Sequence, residues 1–155
     1  MKKIAAAVER DNKLLAAADV TDLPLVVIAG PTASGKTELA IRIAKKFNGE
    51  VISADSRAIY RGLDIGTAKP TSEEQQGIAH WGIDIVDPGE RFTAANFKVY
   101  AQRKISEIRS RGHLPIIAGG TGLYIDSVLY DFKFTACSNN LDERRKLENK
   151  SLEQL

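Results

Sequence analysis

Between residues 25 and 118 the chain alternates short, continuous apolar runs with longer stretches whose apolar residues recur every three or four positions. Leu25 to Ala29 is such a run, bounded by Pro24 and Gly30, and predicts a strand buried on both faces. Leu39, Ile43 and Phe47 then recur at helical spacing with Ala40 and Ala44 beside them, and Asn48 and Gly49 supply a stop. That pattern predicts a helix of about three turns. Val51 to Ala54 predicts a second strand and Ile83 to Val86 a third. Thr93 is placed to cap a helix in which Phe97, Ala101, Ile105 and Ile108 share a face, with Gly112 closing it before a strand over Leu114 to Ala118. Strands alternating with helices imply a mainly parallel sheet covered on both sides, a three-layer α/β domain.

The flanks differ from this core, which spans residues 23–134. Residues 1–22 mix alanine-rich and charged stretches, with Ile4, Val8 and Leu15 at approximately helical spacing, and read as an N-terminal extension ended by Asp22 and Pro24. Residues 135–155 turn polar, and Leu141, Leu147 and Leu152 among many charges predict the start of a helical segment.

Composition narrows the classes. A chain of 155 residues can bury one core. Its net charge of +2 creates no overall field for nucleic acid, so any RNA contact must be local. Cys137 has no second cysteine to pair with, and two histidines are too few for a Cys/His metal site. The apolar run Ile4 to Val8 is interrupted by Glu9, Arg10 and Asp11, too short for a secretion signal, and no window approaches the roughly 20 apolar residues that span a bilayer. These features lead us to expect a cytoplasmic monomer that stays off membranes.

Candidate chemistry begins directly after the first strand. Gly30-Pro31-Thr32-Ala33-Ser34-Gly35-Lys36-Thr37 satisfies G-x-x-x-x-G-K-[ST] in the required strand, loop and helix context. The glycines let the backbone bend around an anion, and the following helix aims its positive end at it. Lys36 supplies a mobile charge for terminal phosphates, and Thr37 a hydroxyl that can ligate Mg²⁺. A P-loop of this kind, typical of nucleotide-binding proteins that take ATP, does not fix the reaction.

Two further segments sit at strand ends, the edge where open α/β sheets bind ligands. Asp55 follows the second strand and reads either as a general base or as a carboxylate capping its own turn. Asp87 is a rival metal ligand in a turn made by Pro88 and Gly89. Gly119-Gly120-Thr121-Gly122-Leu123-Tyr124 follows the last strand, and its glycines permit close backbone approach. Arg57, Arg61 and Lys69 flank Asp55 and could meet phosphate. His80 and His113 read as surface or turn residues, and Trp81 as packing beside the third strand.

Taken together, GPTASGKT, ISADSRAIYRGLDIGTAKPT, GIDIVDP and PIIAGGTGLYI resemble, in order, the motifs of the tRNA dimethylallyltransferase (tRNA isopentenyltransferase) family. The resemblance implies a P-loop NTPase-like fold and Mg²⁺-dependent transfer of a dimethylallyl group from dimethylallyl diphosphate to N6 of the adenosine beside the tRNA anticodon, releasing diphosphate. Gly30 to Thr37 would then hold the diphosphate, with Thr37 on the metal. Asp55 would take the N6 proton and Thr121 would help place the RNA, which Ser56, Arg57 and Ala58 would also meet. Relatives commonly carry glutamine where this chain has Ala58, so one amide contact to RNA is missing. Family members run to about twice this length, and the tail from Leu141 resembles the start of their helical insertion. The residues alone also leave open a P-loop small-molecule or nucleotide kinase, or a non-catalytic phosphate-binding fragment.

Overall fold

The computed structural model describes residues 23–67, 69–134, 145 and 148–151. The extension expected over 1–22 and most of the tail expected over 135–155, including Cys137, Leu141, Leu147 and Leu152, lie outside the described residues. Strand β1 (Val26–Ala29) leads through the glycine loop into α1 (Lys36–Phe47) and then β2 (Gly49–Ser53). Strand β3 (His80–Trp81), helix α2 (Ala94–Ser110), strand β4 (Leu114–Gly119) and helix α3 (Gly122–Leu129) complete the order.

The four strands form one parallel sheet ordered β1-β4-β2-β3. The connection from β1 through α1 to β2 passes over the position that β4 later fills. This brings the β1 end at Ala29 beside Gly119 and the β2 end at Ser53 beside Ala118. Helix α1 covers one face, where Ala40 and Ala44 pack with Ile28, Val51, Leu114 and Ile116. Helices α2 and α3 cover the other, where Phe97, Ala101, Ile105, Ile108, Tyr124 and Ile125 pack on Ile52, Ala54 and Ile117. Phe97 and Tyr124 stack with centroids 4.4 Å apart, locking α2 to α3. This is the three-layer arrangement the alternating pattern predicts. Among the described residues no helix is long and apolar enough to cross a membrane.

Local chemistry explains the ends of these elements. Thr93 caps α2 through a reciprocal box with Asn96. Asn48 ends α1 in the left-handed region at φ 52°, a conformation asparagine tolerates. Gly49 opens β2 rather than serving only as a stop, because a Cβ there would lie 2.9 Å from the Leu114 carbonyl oxygen.

Four expectations are corrected. On the apolar face of α1 only Leu39 departs from the expectation: it is 45% exposed, whereas Ala40 and Ala44 are buried and Ile43 and Phe47 pack against the same cluster. The first strand starts at Val26 and is only partly buried, since β1 lies at an edge of the described sheet. The third strand is His80–Trp81, not Ile83 to Val86. Gly82 at φ 80° and Asp84 at φ 54° turn the backbone out of strand geometry, so that Ile85 and Val86 donate instead to the Ile59 carbonyl and Val86 makes an isolated bridge with Tyr60. Finally, His113 is no bland turn residue.

His113 belongs to a cluster around Glu50, which is only 5% exposed on β2. Glu50 accepts from Arg111 Nε at 3.0 Å and Nη2 at 2.9 Å, and from Trp81 Nε1 at 2.6 Å, and His113 Nδ1 lies 2.6 Å from its Oε1. Lys104 Nζ sits 4.0 Å above the Trp81 ring. The group ties β2, β3 and the C-terminal end of α2 together. Burial pushes the Glu50 carboxyl up, but bonds from Arg111, Trp81 and His113 outweigh it and hold the carboxyl below its ordinary value.

A carboxyl held below its unfolded value stabilises the fold above the unfolded pKa, near 4.5, and loses that contribution as pH falls through the folded one. Glu50→Gln should therefore lower stability by about 1 to 3 kcal/mol at neutral pH. The difference from the wild type should shrink as pH falls below the unfolded value near 4.5. Denaturant unfolding at neutral and at acid pH measures both.

Candidate functional site

The strand ends β1, β2 and β4 converge on one cavity of about 430 Å³ lined by the glycine loop from Thr32 to Thr37, by Ser53 and Asp55, and by Ala118 to Gly120. Its position at the carboxyl edge of a parallel sheet follows from the topology. Gly119 makes the convergence possible. A Cβ there would stand 2.2 Å from the Ala54 carbonyl oxygen, an impossible contact, and one on Gly120 would lie 3.3 Å from the Gly30 oxygen. The glycines read as allowing close approach thus face another strand's backbone. The stretch after them is not all loop, because α3 starts at Gly122.

The glycine loop is bent by Ala33 at φ 62° and Gly35 at φ 80°. No side chain caps α1, so the N–H groups of its first turn remain directed at the loop. Ser34 Oγ donates to the Pro31 carbonyl at 2.8 Å, and Lys36 Nζ folds back onto the same carbonyl, 3.5 Å from Ser34 Oγ. The ammonium is thereby held over the loop by a weak backbone acceptor that a phosphate oxygen, an ionised one, can replace. Thr37 is exposed beside it and lines the cavity.

Asp55 Oδ1 accepts from the Arg57 N–H at 2.8 Å and the Ala58 N–H at 3.3 Å. The carboxylate therefore caps its own turn while also lining the cavity, so both sequence readings describe part of its geometry. Thr121, two residues past the end of β4, fixes that turn. Its Oγ1 accepts from the Ser56 N–H at 3.0 Å and lies 3.3 Å from Ser56 Oγ, and it makes no capping bond to α3. Thr121 thus joins the turn from outside, while Ser56 and Arg57 stand exposed on it. Ala58 is 2% exposed, and it offers the cavity a methyl group from the floor.

Two of the three flanking cations, Lys69 and Arg61, are engaged elsewhere. Lys69, its side chain 7% exposed, binds Asp64 at 2.7 Å, Asp84 at 2.6 Å and the Tyr60 carbonyl at 3.0 Å. Burial alone would lower its pKa, yet these carboxylates raise it. Lys69 pins the 60–69 loop and is not available to phosphate. Arg61 pairs with Asp87 at 2.9 Å, which engages both the proposed phosphate contact and the rival metal ligand. Sequence reasoning missed Glu74, Gln76, His80 and Ile83, which close the cavity's far wall. For His80 no periodic signal existed, because its edge strand has only two residues.

Two measurements follow. Thr121→Val removes the acceptor of the Ser56 N–H and should cost about 0.5 to 1.5 kcal/mol, with faster hydrogen exchange at the Ser56 amide. Thr121→Ser should restore the protection. Lys36→Ala should weaken pyrophosphate binding roughly tenfold to a hundredfold in calorimetry, the loss of one charge-assisted contact.

The chain and its fold are similar to those of known proteins. A family model described as IPP transferase matches residues 58–155. The chain is 64% identical over 110 residues to a tRNA dimethylallyltransferase of Staphylococcus carnosus, covering 71% of this chain and 35% of that one. It is 56% identical over 133 residues to one from Staphylococcus epidermidis, covering 84% and 40%. Among solved structures, the full-length tRNA isopentenylpyrophosphate transferase of Bacillus halodurans superposes with a TM-score of 0.73 at 50% identity, over 82% of this chain and 42% of that one. A eukaryotic dimethylallyltransferase acting on tRNA superposes with a TM-score of 0.68 at 33% identity, over 84% and 33%. The chain spans about two-fifths of the length of the bacterial relatives it matches. With its glycine loop and the Asp55 turn facing one cavity on the fold of these enzymes, the chain belongs to the IPP transferase family.

Proposed function

We propose that this chain carries the donor half of a tRNA dimethylallyltransferase, binding dimethylallyl diphosphate and directing its prenyl group to N6 of the adenosine beside the anticodon. One observation supports the reading above the others. The phosphate loop and Asp55, on different strand ends, open onto the same cavity.

In this mechanism the diphosphate rests on the N–H groups of the loop and the first turn of α1, and Lys36 exchanges the Pro31 carbonyl for a phosphate oxygen. The target adenine leaves its stack to reach the cavity, as bases do in other enzymes that act on them. N6 attacks the carbon bearing the diphosphate, the carbon–oxygen bond breaks, and diphosphate departs with the bonding pair. Asp55 receives the N6 proton. Its Oδ1 is held by two backbone donors, which aims the carboxylate and presents Oδ2 to the amine.

The donor set suits Mg²⁺. Among the described residues no group of three His, Cys, Asp or Glu side chains could hold a metal by itself, and Mg²⁺ is commonly held by one or two protein oxygens plus substrate phosphates. Thr37 would supply that protein oxygen, and the ion would neutralise charge growing on the departing diphosphate.

Incubating the chain with labelled dimethylallyl diphosphate, Mg²⁺ and unmodified tRNA tests the proposal. Label in RNA supports it, phosphorylation of a small molecule by ATP would replace it with a kinase, and diphosphate binding without turnover would mark a binding fragment. Asp55→Asn keeps the shape but cannot accept the proton. It should lower transfer by a factor of about 100 to 10,000 with diphosphate affinity nearly unchanged, and equal turnover would remove Asp55 from the mechanism.

A further inference from the structure

His80 lies on β3 opposite Val51 of β2, and residues opposite one another in a parallel pair share a face. That face also carries Ser53, and Val51, Ser53 and His80 all line the phosphate cavity, whereas Ile52 and Trp81 pack toward α2. His80 Nδ1 is 2.9 Å from the Ile78 carbonyl oxygen. A carbonyl can only accept, so the ring proton is on Nδ1 and Nε2 carries a lone pair. Nε2 is shut off from solvent and has no hydrogen-bond partner among the described residues. A buried acceptor left unpaired costs about 1 to 3 kcal/mol, so its persistence beside a ligand cavity calls for a function.

The ionisable groups around the cavity sharpen the point. Besides His80 they are Lys36 and Glu38 from α1, Asp55 after β2 and Glu74 from the turn before β3, one cation against three carboxylates. A diphosphate offers oxygen acceptors and negative charge. Against such a ligand a bare imidazole lone pair is repulsive, whereas a proton on Nε2 makes it a charge-assisted donor and offsets part of the excess negative charge.

We propose that His80 is a diphosphate-binding residue of this cavity: as the anion enters, a small shift of the ring opens Nε2 to it, and Nε2 takes up a proton and donates it as a hydrogen bond to a phosphate oxygen. The inference rests on the reading of the cavity as a diphosphate site. In the empty cavity burial holds the imidazole below its ordinary value despite the Ile78 carbonyl, so the ring starts neutral near pH 7. The anion reverses that preference.

Calorimetry of pyrophosphate binding near pH 7, in two buffers of different ionisation enthalpy and with and without Mg²⁺, counts the protons taken up. His80→Asn keeps a donor for the Ile78 carbonyl while removing Nε2. The wild type should take up more protons than His80→Asn, by up to about one, and bind about tenfold more tightly. An independent reading comes from the ring nitrogens of the unaltered chain, which has only two histidines to assign. The His80 resonances should move to the imidazolium position on adding pyrophosphate. Equal proton uptake by both chains, or a His80 ring that stays neutral in the complex, overturns the inference while leaving the diphosphate site standing. No pyrophosphate binding by the wild type overturns the site and the inference together.

Discussion

The contact on which the site depends is the one between the backbones of Gly119 and Ala54. Ala54 donates to the Ala118 carbonyl at 2.8 Å and accepts from the Thr121 N–H at 3.1 Å, so the end of β2 is sewn to the end of β4 on both sides of Gly119. No other residue type fits between them. Because β1 pairs with β4 through Ala29 and Gly119, the same contact sets the height of the glycine loop relative to Asp55. A glycine loop and a carboxylate 18 to 25 positions apart in the chain thereby face one cavity.

Rigidity in this site comes from hydrogen bonds that leave the ligand-facing atoms free. The Asp55 turn is held from below by its own Oδ1 and from outside by Thr121, which gives its hydroxyl to Ser56 rather than to the start of its own helix. The 60–69 loop is held by Lys69, whose charge is spent between Asp64 and Asp84. At the far end of β2, Glu50 draws Arg111, Trp81 and His113 together and anchors the two-residue strand that carries His80. Each of these groups is charged or polar, yet their structural part is to fix backbone near the cavity. Counting basic residues around Asp55 therefore overstates the positive surface open to RNA.

The legible parts of the fold were those written in local rules. A continuous apolar run before a glycine-rich loop, a threonine before an apolar helical face and an asparagine after one are short-range signals, and β1, α1, α2 and β4 follow them. The third strand was misplaced because Ile83 to Val86 has the right residues but the wrong backbone, turned by Gly82 and Asp84, while His80–Trp81 is too short to show any period. The exposed Leu39 shows a similar limit. Spacing alone finds a stripe on a helix, but small residues such as Ala40 and Ala44 decide which stripe can approach a sheet.

The site divides along the same line. Gly30 to Thr37 is contiguous, so its geometry is encoded by neighbours and can be read from a motif. The partnership of Thr121 with Ser56 spans 65 positions, and that of Glu50 with His113 spans 63. No periodicity reports such pairs, because they exist only once the parallel register is set. The resemblance to a family named Thr121 and Ser56 but not the bond between them, and it named neither Glu50 nor His113. The candidate site thus has two layers with different origins. The glycine loop is a local property of a strand, a turn and a helix, whereas the placing of a carboxylate against it is a property of the sheet.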